Sequence, residues 1–578
     1  MLDFHNHNKT RNTVVGFAVR RKVLLFFMLG AMVLLVARAF DLQVLRKQFL
    51  QQQGARRHVG AVEVAAYRGM ILDRNGEPLA ISSPVESIWV NPQELKNADQ
   101  KDLRRMERLL GLPDGKIPDL MVPGSNKQFA YVKRRVNPHL ADRVAALKLP
   151  GVNFEREFKR YYPAGPVSAH LVGFTDIDDT GQEGIELAYD TALKGSPGKK
   201  RVIRDGTRRI IGDIEAIKAP VDGEDVQLSI DQRIQYLAFR ELQAGFIEHK
   251  ARSAALIVLN AKTGDVLADV NQPSFNPNTR NNLKGSLYRN RAVTDVFEPG
   301  STIKPFVIAA ALDGGYVDPA AKFETHGIYR VGRNVVRDVH NYGTLNLMQV
   351  LKKSSNVAAS MVALTMPRDY FWGIYHQLGF GNAAGVGFPG EASGSLLDYQ
   401  NWNDFAQATL SFGYGLNASA LQLARAYTAL ADDGILHSVS LLKRDQDNDA
   451  KRIFTAKTAR KIRGMLEQVV MRDGTAFEAR VDGYRVAGKT GTVKKISAQG
   501  GYTEKSYNAV FVGMAPASDP EIIIVVMVDE PSAGSYYGGL VAAPIFSKVM
   551  AGTLRLLGIA PDQYDTMPVL LAGHDEHQ

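Results

Sequence analysis

The sequence predicts a multidomain chain of mixed α+β and α/β class behind a single N-terminal transmembrane helix. Three observations predict it. One apolar run follows a basic triplet near the start, and residues from about Gly60 to Gly223 read as short strands and loops. The second half sets strands at both ends of a segment with helices between them. At 578 residues the chain holds about three to five domains' worth of polypeptide, at roughly 100–200 residues each. Its 45% hydrophobic and 22% charged fractions are those of a folded protein, which excludes disorder over most of its length. With no cysteine, disulfide scaffolds, thiolate metal sites and cysteine nucleophiles are excluded together, and the redox compartment stays open. A net charge of +10 suits a nucleic-acid binder no better than a protein facing an anionic lipid or polymer.

The first element is the anchor. Val23–Ala37 is apolar throughout, between Arg20-Arg21-Lys22 and Arg38. That run is shorter than the roughly 20 residues a span needs. Arg38 can snorkel to the headgroups, however, which extends the helix to Val23–Leu42. Two other readings stand beside it. Ala37-Arg38-Ala39 has the form of a signal-peptide cleavage site, and a buried core helix would share the composition. The triplet at 20–22 favours the N-terminus inside, but Arg38, Arg46, Lys47, Arg56 and Arg57 on the other flank weaken that preference.

The strand-rich stretch comes next. Asn75-Gly76 after Met70-Ile71-Leu72 marks a hairpin. Lys101–Leu110 and His139–Leu147 have helical spacing. Lys133-Arg134-Arg135, Lys159-Arg160 and Lys199-Lys200-Arg201 read mostly as solvated faces. In the second half, Ser253–Leu259 and Asp265–Val270 predict a hairpin, and Tyr484–Val493, Tyr507–Met514 and Glu521–Val528 predict three more strands. Helices are predicted over Ile303–Leu312, Leu347–Leu364, Ser419–Ala431, Ala456–Val470 and Ala542–Leu557. Ala572–Gln578 reads as a loose tail.

Chemistry concentrates in three short motifs. Ser301-Thr302-Ile303-Lys304 follows Pro299-Gly300 and opens an apolar helix, so Lys304 sits one turn behind the Ser301 hydroxyl. A serine needs a base, and a desolvated neutral lysine can serve. The pattern alone is weak, because Ser196…Lys199 and Ser440…Lys443 repeat it. Order gives it weight: Ser354-Ser355-Asn356 follows, and then Lys489-Thr490-Gly491-Thr492 on a predicted strand. Ser274…Asn276, Ser506…Asn508 and Lys262-Thr263-Gly264 are decoys that do not fall in this order with domain-scale spacing. The trio has the form of the β-lactamase and penicillin-binding-protein signature. Ser354 can relay a proton to a leaving amine, and Asn356 can hold Lys304 and a substrate amide. Lys489, Thr490 and Thr492 offer charge and donors for a carboxylate. Gly491 leaves room for an extended substrate backbone. The Lys489 ammonium lowers the affinity of Lys304 for its proton, and the backbone N–H groups of Ser301 and Thr492 form an oxyanion hole.

The resemblance extends further. The segment from Asn290 to Ser301 (NRAVTDVFEPGS) resembles the nucleophile region of class B penicillin-binding proteins, in particular their septal peptidoglycan transpeptidases. Arg68–Gly76, Arg160–Gly165 and Gly184-Ile185-Glu186 resemble that family's pedestal motifs, and Tyr536–Pro544 its C-terminal helix. The resemblance implies a cytoplasmic segment 1–22, a membrane helix 23–42, a mostly-β elongated periplasmic pedestal 43–222, a transpeptidase domain 223–565 and a tail 566–578. It implies for that domain a β-lactamase-like sandwich with a five-stranded antiparallel sheet flanked by helices. It further implies an inner-membrane enzyme that cross-links stem peptides through a serine acyl-enzyme and is blocked by β-lactams. Its partners would be lipid-linked nascent glycan, a membrane glycosyltransferase and other division proteins. Tyr414, Tyr507, Tyr536 and Tyr537 are implied as the aromatic wall of the cleft.

Rival readings are an elongation-type transpeptidase, which usually carries an acidic residue where Asn356 stands, and a penicillin sensor without turnover. No acidic motif precedes residue 223 for a glycosyltransferase domain, and no Glu-x-x-x-Asn lies between Asn356 and Lys489 for a class A β-lactamase. The histidines, His5 and His7 included, are scattered with no metal-ligand spacing. The sequence carries no phosphate loop, dinucleotide fingerprint or nucleic-acid motif, so neither metal, cofactor nor nucleic acid is expected.

Overall fold

The computed structural model describes residues 13–50, 59–121, 127–204, 210–279, 285–444, 449–496 and 501–563. The predicted tail 566–578 and most of the leading segment 1–22 lie outside the described residues. The chain divides into two compact units, one of residues 1–66 and 196–221, the other of 67–195 and 222–578. Residues 43–222 are therefore shared between the two.

In the first unit one helix runs Thr13–Phe40 and continues as a π turn over Asp41–Leu45. It starts ten residues ahead of the predicted Val23, because Arg20-Arg21-Lys22 are good helix formers and do not end it. The stretch Val19–Leu45 is long enough to cross a membrane, and its most apolar part is not buried at all, the exposure a lipid-facing helix needs. Asp41, the acid in this stretch, is paired to Arg38 at 2.7 Å and to Arg46 at 3.1 Å. The same unit holds a three-stranded antiparallel sheet ordered Val59–Val64, Gly198–Arg204, Ile210–Lys218.

The second unit opens with a five-stranded sheet built on Pro78–Val90, which pairs with Ile71–Leu72, Ala130–Val136 and Val152–Tyr161, while Val226–Gln227 pairs with Ile71–Leu72. The predicted Asn-Gly hairpin is present, with Gly76 at φ 89° and the Asp73 N–H donating to the Glu77 carbonyl. The helices Gln100–Leu110 and Pro138–Ala145 bury Leu103, Met106, Leu110 and Val144 against Ile88, Val90 and Val136. The three pedestal motifs converge. Arg68 and Arg160 grip opposite oxygens of Glu186 at 2.7 and 2.6 Å, all three buried, and Arg68 also pairs with Asp190. Arg160 is thus no solvated charge: its neighbours on the chain face water, but its own side chain closes this triad. Gly69 lets the chain pass, since a Cβ there would lie 2.1 Å from the Glu224 carbonyl oxygen.

The rest of the unit is an α/β sandwich. Its five-stranded antiparallel sheet is ordered Val266–Gln272, Ser253–Asn260, Ile522–Asp529, Tyr502–Ala515, Ala487–Ile496. The central strand Ile522–Asp529 is buried at all but its last residue, so both faces are covered. Gln232–Glu248 and Gly538–Leu556 cross at two glycines: a Cβ on Gly245 would meet Ile545, and one on Gly552 would meet Leu237. Helices Ala420–Ala431 and Ala456–Glu467 follow prediction closely. Strand Tyr502–Ala515 begins five residues earlier than expected. The predicted helix Leu347–Leu364 is two helices, Leu347–Lys353 and Asn356–Ala363, broken at Ser354. That break positions the site.

Candidate active site

The turn that carries Ser301 is wedged between two backbones. Gly300–Ile303 forms a 3-10 turn, and the α-helix proper begins at Lys304 and runs to Asp313. Ser301 thus precedes the helix it was expected to open, because Gly300 at φ 57° tightens the entry. Thr302 donates to the Pro299 carbonyl at 2.7 Å, and Tyr427 donates to the Thr302 carbonyl at 2.6 Å. A Cβ on Gly413 would lie 2.2 Å from the Gly300 carbonyl oxygen. Gly491 sits against the same turn: a Cβ there would be 3.1 Å from both the Pro299 oxygen and Thr302 Cγ2. Its missing side chain therefore accommodates that turn, whereas the sequence reading gave that space to substrate.

The second motif is a strained corner. Ser354 takes left-handed angles, φ 59° and ψ 41°, which cost a non-glycine residue about 1–3 kcal/mol. Its hydrogen bonds hold it there. Lys304 Nζ donates to the Ser354 carbonyl at 2.6 Å and to its Oγ at 3.3 Å, and Lys489 Nζ donates to the same Oγ at 2.9 Å. Lys304 Nζ also donates to Asn356 Oδ1 at 2.7 Å. Three distant stretches thus meet around two buried lysine amines. The Lys304 bonds go to Ser354 and Asn356 rather than to half-buried Ser301; catalytic hydrogen bonds commonly tighten only when substrate binds.

Electrostatics follow from burial. Desolvation, reinforced by the Lys489 charge and opposed by Asp338, holds the Lys304 pKa well below that of an ordinary lysine. Burial alone brings Lys489 down to about 7. A neutral amine beside a second amine that titrates near neutrality can accept one proton and present one positive charge.

Lys489, Thr490, Gly491 and Thr492 lie on the edge strand Ala487–Ile496, whose outer side pairs with no strand among the described residues. An extended peptide can add there by β-pairing. Thr490 Oγ1 lies 3.0 Å from Thr475 Oγ1, and Thr492 Oγ1 accepts from the Gly538 N–H at 3.0 Å. The Thr492 hydroxyl therefore ties the edge strand to the last helix.

Known proteins are similar to this chain. Residues 254–551 match the penicillin binding protein transpeptidase domain, and residues 63–228 the penicillin-binding protein dimerisation domain. The chain is 43% identical, over 91% of each sequence, to a probable peptidoglycan D,D-transpeptidase, PenA, of Neisseria meningitidis. It is 40% identical to the peptidoglycan D,D-transpeptidase FtsI of Escherichia coli K12, over 93% of this chain and 91% of that one. The chain belongs to the penicillin-binding protein transpeptidase family. Among solved structures it resembles the transpeptidase domain of penicillin-binding protein 3 from Burkholderia pseudomallei, at 43% identity and TM-score 0.54, over 59% of this chain and 98% of that one. It also resembles penicillin-binding protein 3 of Mycobacterium tuberculosis complexed with aztreonam, at 26% identity and TM-score 0.68, over 86% and 98%.

Within this penicillin-binding protein the expected tyrosines fall into two groups. Tyr507 stacks on Tyr536 at 4.2 Å, and Tyr536 on Tyr537 at 4.6 Å. Tyr414 packs edge-on against Tyr502 at 5.1 Å. Tyr502 was not singled out from the sequence; it donates to Glu298 Oε1 at 3.2 Å, which also accepts the Gly415 N–H. Asp338 was missed as well. It accepts from Ser355 Oγ at 2.6 Å and from the N–H groups of Asn356 and Val357 at 2.5 and 3.1 Å. Neither carries a local sequence signal, because the partners of Asp338 lie 17 to 19 residues onward and those of Tyr502 lie on other elements.

Proposed function

We propose that this chain is a membrane-anchored, monofunctional peptidoglycan D,D-transpeptidase of septal wall synthesis. The observation that carries the reading is the shared hydrogen-bonding of Ser354 by Lys304 and Lys489, with Asn356 on Lys304. The similar PenA and FtsI proteins, named for this activity, support it.

Neutral Lys304 takes the Ser301 hydroxyl proton as Oγ attacks the D-Ala-D-Ala carbonyl of a stem peptide. The tetrahedral oxyanion is held by the N–H groups of Ser301 and Thr492. Ser354 passes the proton from Lys304 to the departing D-Ala amine, and the C–N bond breaks. A side-chain amine of a neighbouring stem then attacks the acyl-enzyme and gives its proton back through Lys304. Ser301 leaves with its hydroxyl restored and the cross-link is formed. Lys489, Thr490 and Thr492 hold the terminal carboxylate, Gly491 keeps the edge strand close to Ser301, and Tyr414, Tyr507, Tyr536 and Tyr537 wall the cleft.

The domain reading accompanies this function: a cytoplasmic leader 1–22, an inner-membrane helix, a periplasmic pedestal ending near residue 222, a transpeptidase domain to about 565 and a tail. The substrate is nascent lipid-linked glycan, delivered by a membrane glycosyltransferase among other division proteins. Incubation with stem-peptide substrate tests the chemistry. D-Ala release with dimeric stems is expected; β-lactam hydrolysis, or acylation without any turnover, would contradict it. Depletion tests the address: filamentous cells mean division, round cells elongation.

A further inference from the structure

We propose that Asp338 is a positioning residue that sets both the shape of the Ser354–Asn356 corner and the protonation of the Lys304 base. The inference rests on the transpeptidase reading of the site. Asp338 ends the short strand Asn334–Arg337, and its own N–H is tied to the Gly327 carbonyl, so its carboxylate arrives on a fixed support. One oxygen accepts the N–H groups of Asn356 and Val357, and the other accepts the Ser355 hydroxyl. Ser355 Oγ in turn accepts from Ala358 N, capping the helix Asn356–Ala363. The preceding residue completes the grip, since Asn356 Nδ2 donates to the Arg337 carbonyl at 3.3 Å.

Every residue that follows Ser354 in the motif is therefore held from the Arg337–Asp338 pair. Ser354 has no glycine-like freedom, so this tether fixes its left-handed turn and points Asn356 Oδ1 at Lys304. A carboxylate accepting N–H groups at the first turn of a helix is also well placed electrostatically.

The second effect is on charge. The groups whose charge acts on Lys304 are Lys489, from the edge strand, and Asp338. Burial and Lys489 both strip the proton from Lys304, whereas Asp338 opposes them. Burial, with the Asp338 charge adding to it, raises the pKa of Tyr342 above its ordinary value. Without Asp338 the base would be neutral at lower pH but weaker. With it, Lys304 holds its proton more tightly than burial and the Lys489 charge alone would allow.

The test is the pH dependence of acylation by a fluorescent β-lactam, measured on the full-length protein in detergent. For Asp338→Asn the acid limb of the profile is expected to move down by about one pH unit, the low end for loss of a neighbouring opposite charge. The plateau rate should fall roughly ten- to a hundred-fold as the corner loosens. Asp338→Glu should return the limb towards its wild-type position, because it restores the charge. A merely structural role would lower the plateau and leave the limb in place, and that result, or an unchanged profile, would overturn the proposal. Wild-type protein that took no label at Ser301 would instead overturn the transpeptidase reading.

Discussion

At the level of single residues, two lysines meet at the Ser354 corner, and among the described residues no carboxylate is in direct contact with either. Lys304 and Lys489 are both fully buried, and both are depressed in proton affinity. Replacing Lys304 with Ala should lower β-lactam acylation by roughly 10²–10⁴-fold, the usual contribution of a positioned base, with protein levels unchanged. Lys489 titrates at about 7, so its positive charge is lost as pH rises through neutrality. Acylation by a carboxylate-bearing β-lactam should therefore decline on the alkaline side, and Lys489→Met should abolish that decline while lowering the rate throughout. A wild-type profile flat from pH 6 to 9 would contradict this. These residues were legible because their motifs are local: three or four positions with fixed spacing. Asp338 and Tyr502 were not legible, because each acts on partners brought together only by tertiary contact.

Elements were legible where one period ran uninterrupted. The strand Ile522–Asp529 and the helix Ala420–Ala431 are both continuous apolar or periodic stretches, and the structure keeps their bounds nearly as read. Leu347–Leu364 was misread because Ser354-Ser355 carries no proline or glycine, so nothing in the sequence warns of a left-handed residue; hydrogen bonds from Lys304 and Lys489, together with the Asp338 tether on the two residues that follow, hold it. The pedestal motifs gave their positions but not their purpose. Arg68, Glu186 and Arg160 form a buried ionic triad. Glu186→Ala would leave the buried Arg160 guanidinium without its carboxylate and Arg68 with Asp190 alone, and should cost roughly 3–5 kcal/mol, seen as a lowered thermal transition. His170 offers a pH test of the same region. Burial holds it at about 4 against an ordinary 6.5, so the unfolded chain binds the proton more readily. Its contribution to stability is complete above pH 6.5 and is lost as pH falls towards 4. The loss of thermal stability over that window should be smaller in His170→Gln.

For the whole molecule, an exposed apolar helix, a motif-locked strand domain and an acylation site follow one another along a single chain. Removal from membranes should require detergent and not high salt, since the apolar run Val23–Ala37 is exposed along its length. The most direct test of the central claim is peptide mapping by mass spectrometry after saturation with a β-lactam. The adduct should sit on Ser301 alone, in stoichiometric amount, and Ser301→Ala should carry none. An adduct on Ser196, Ser440 or any other side chain, or labelling that persists in Ser301→Ala, would contradict it.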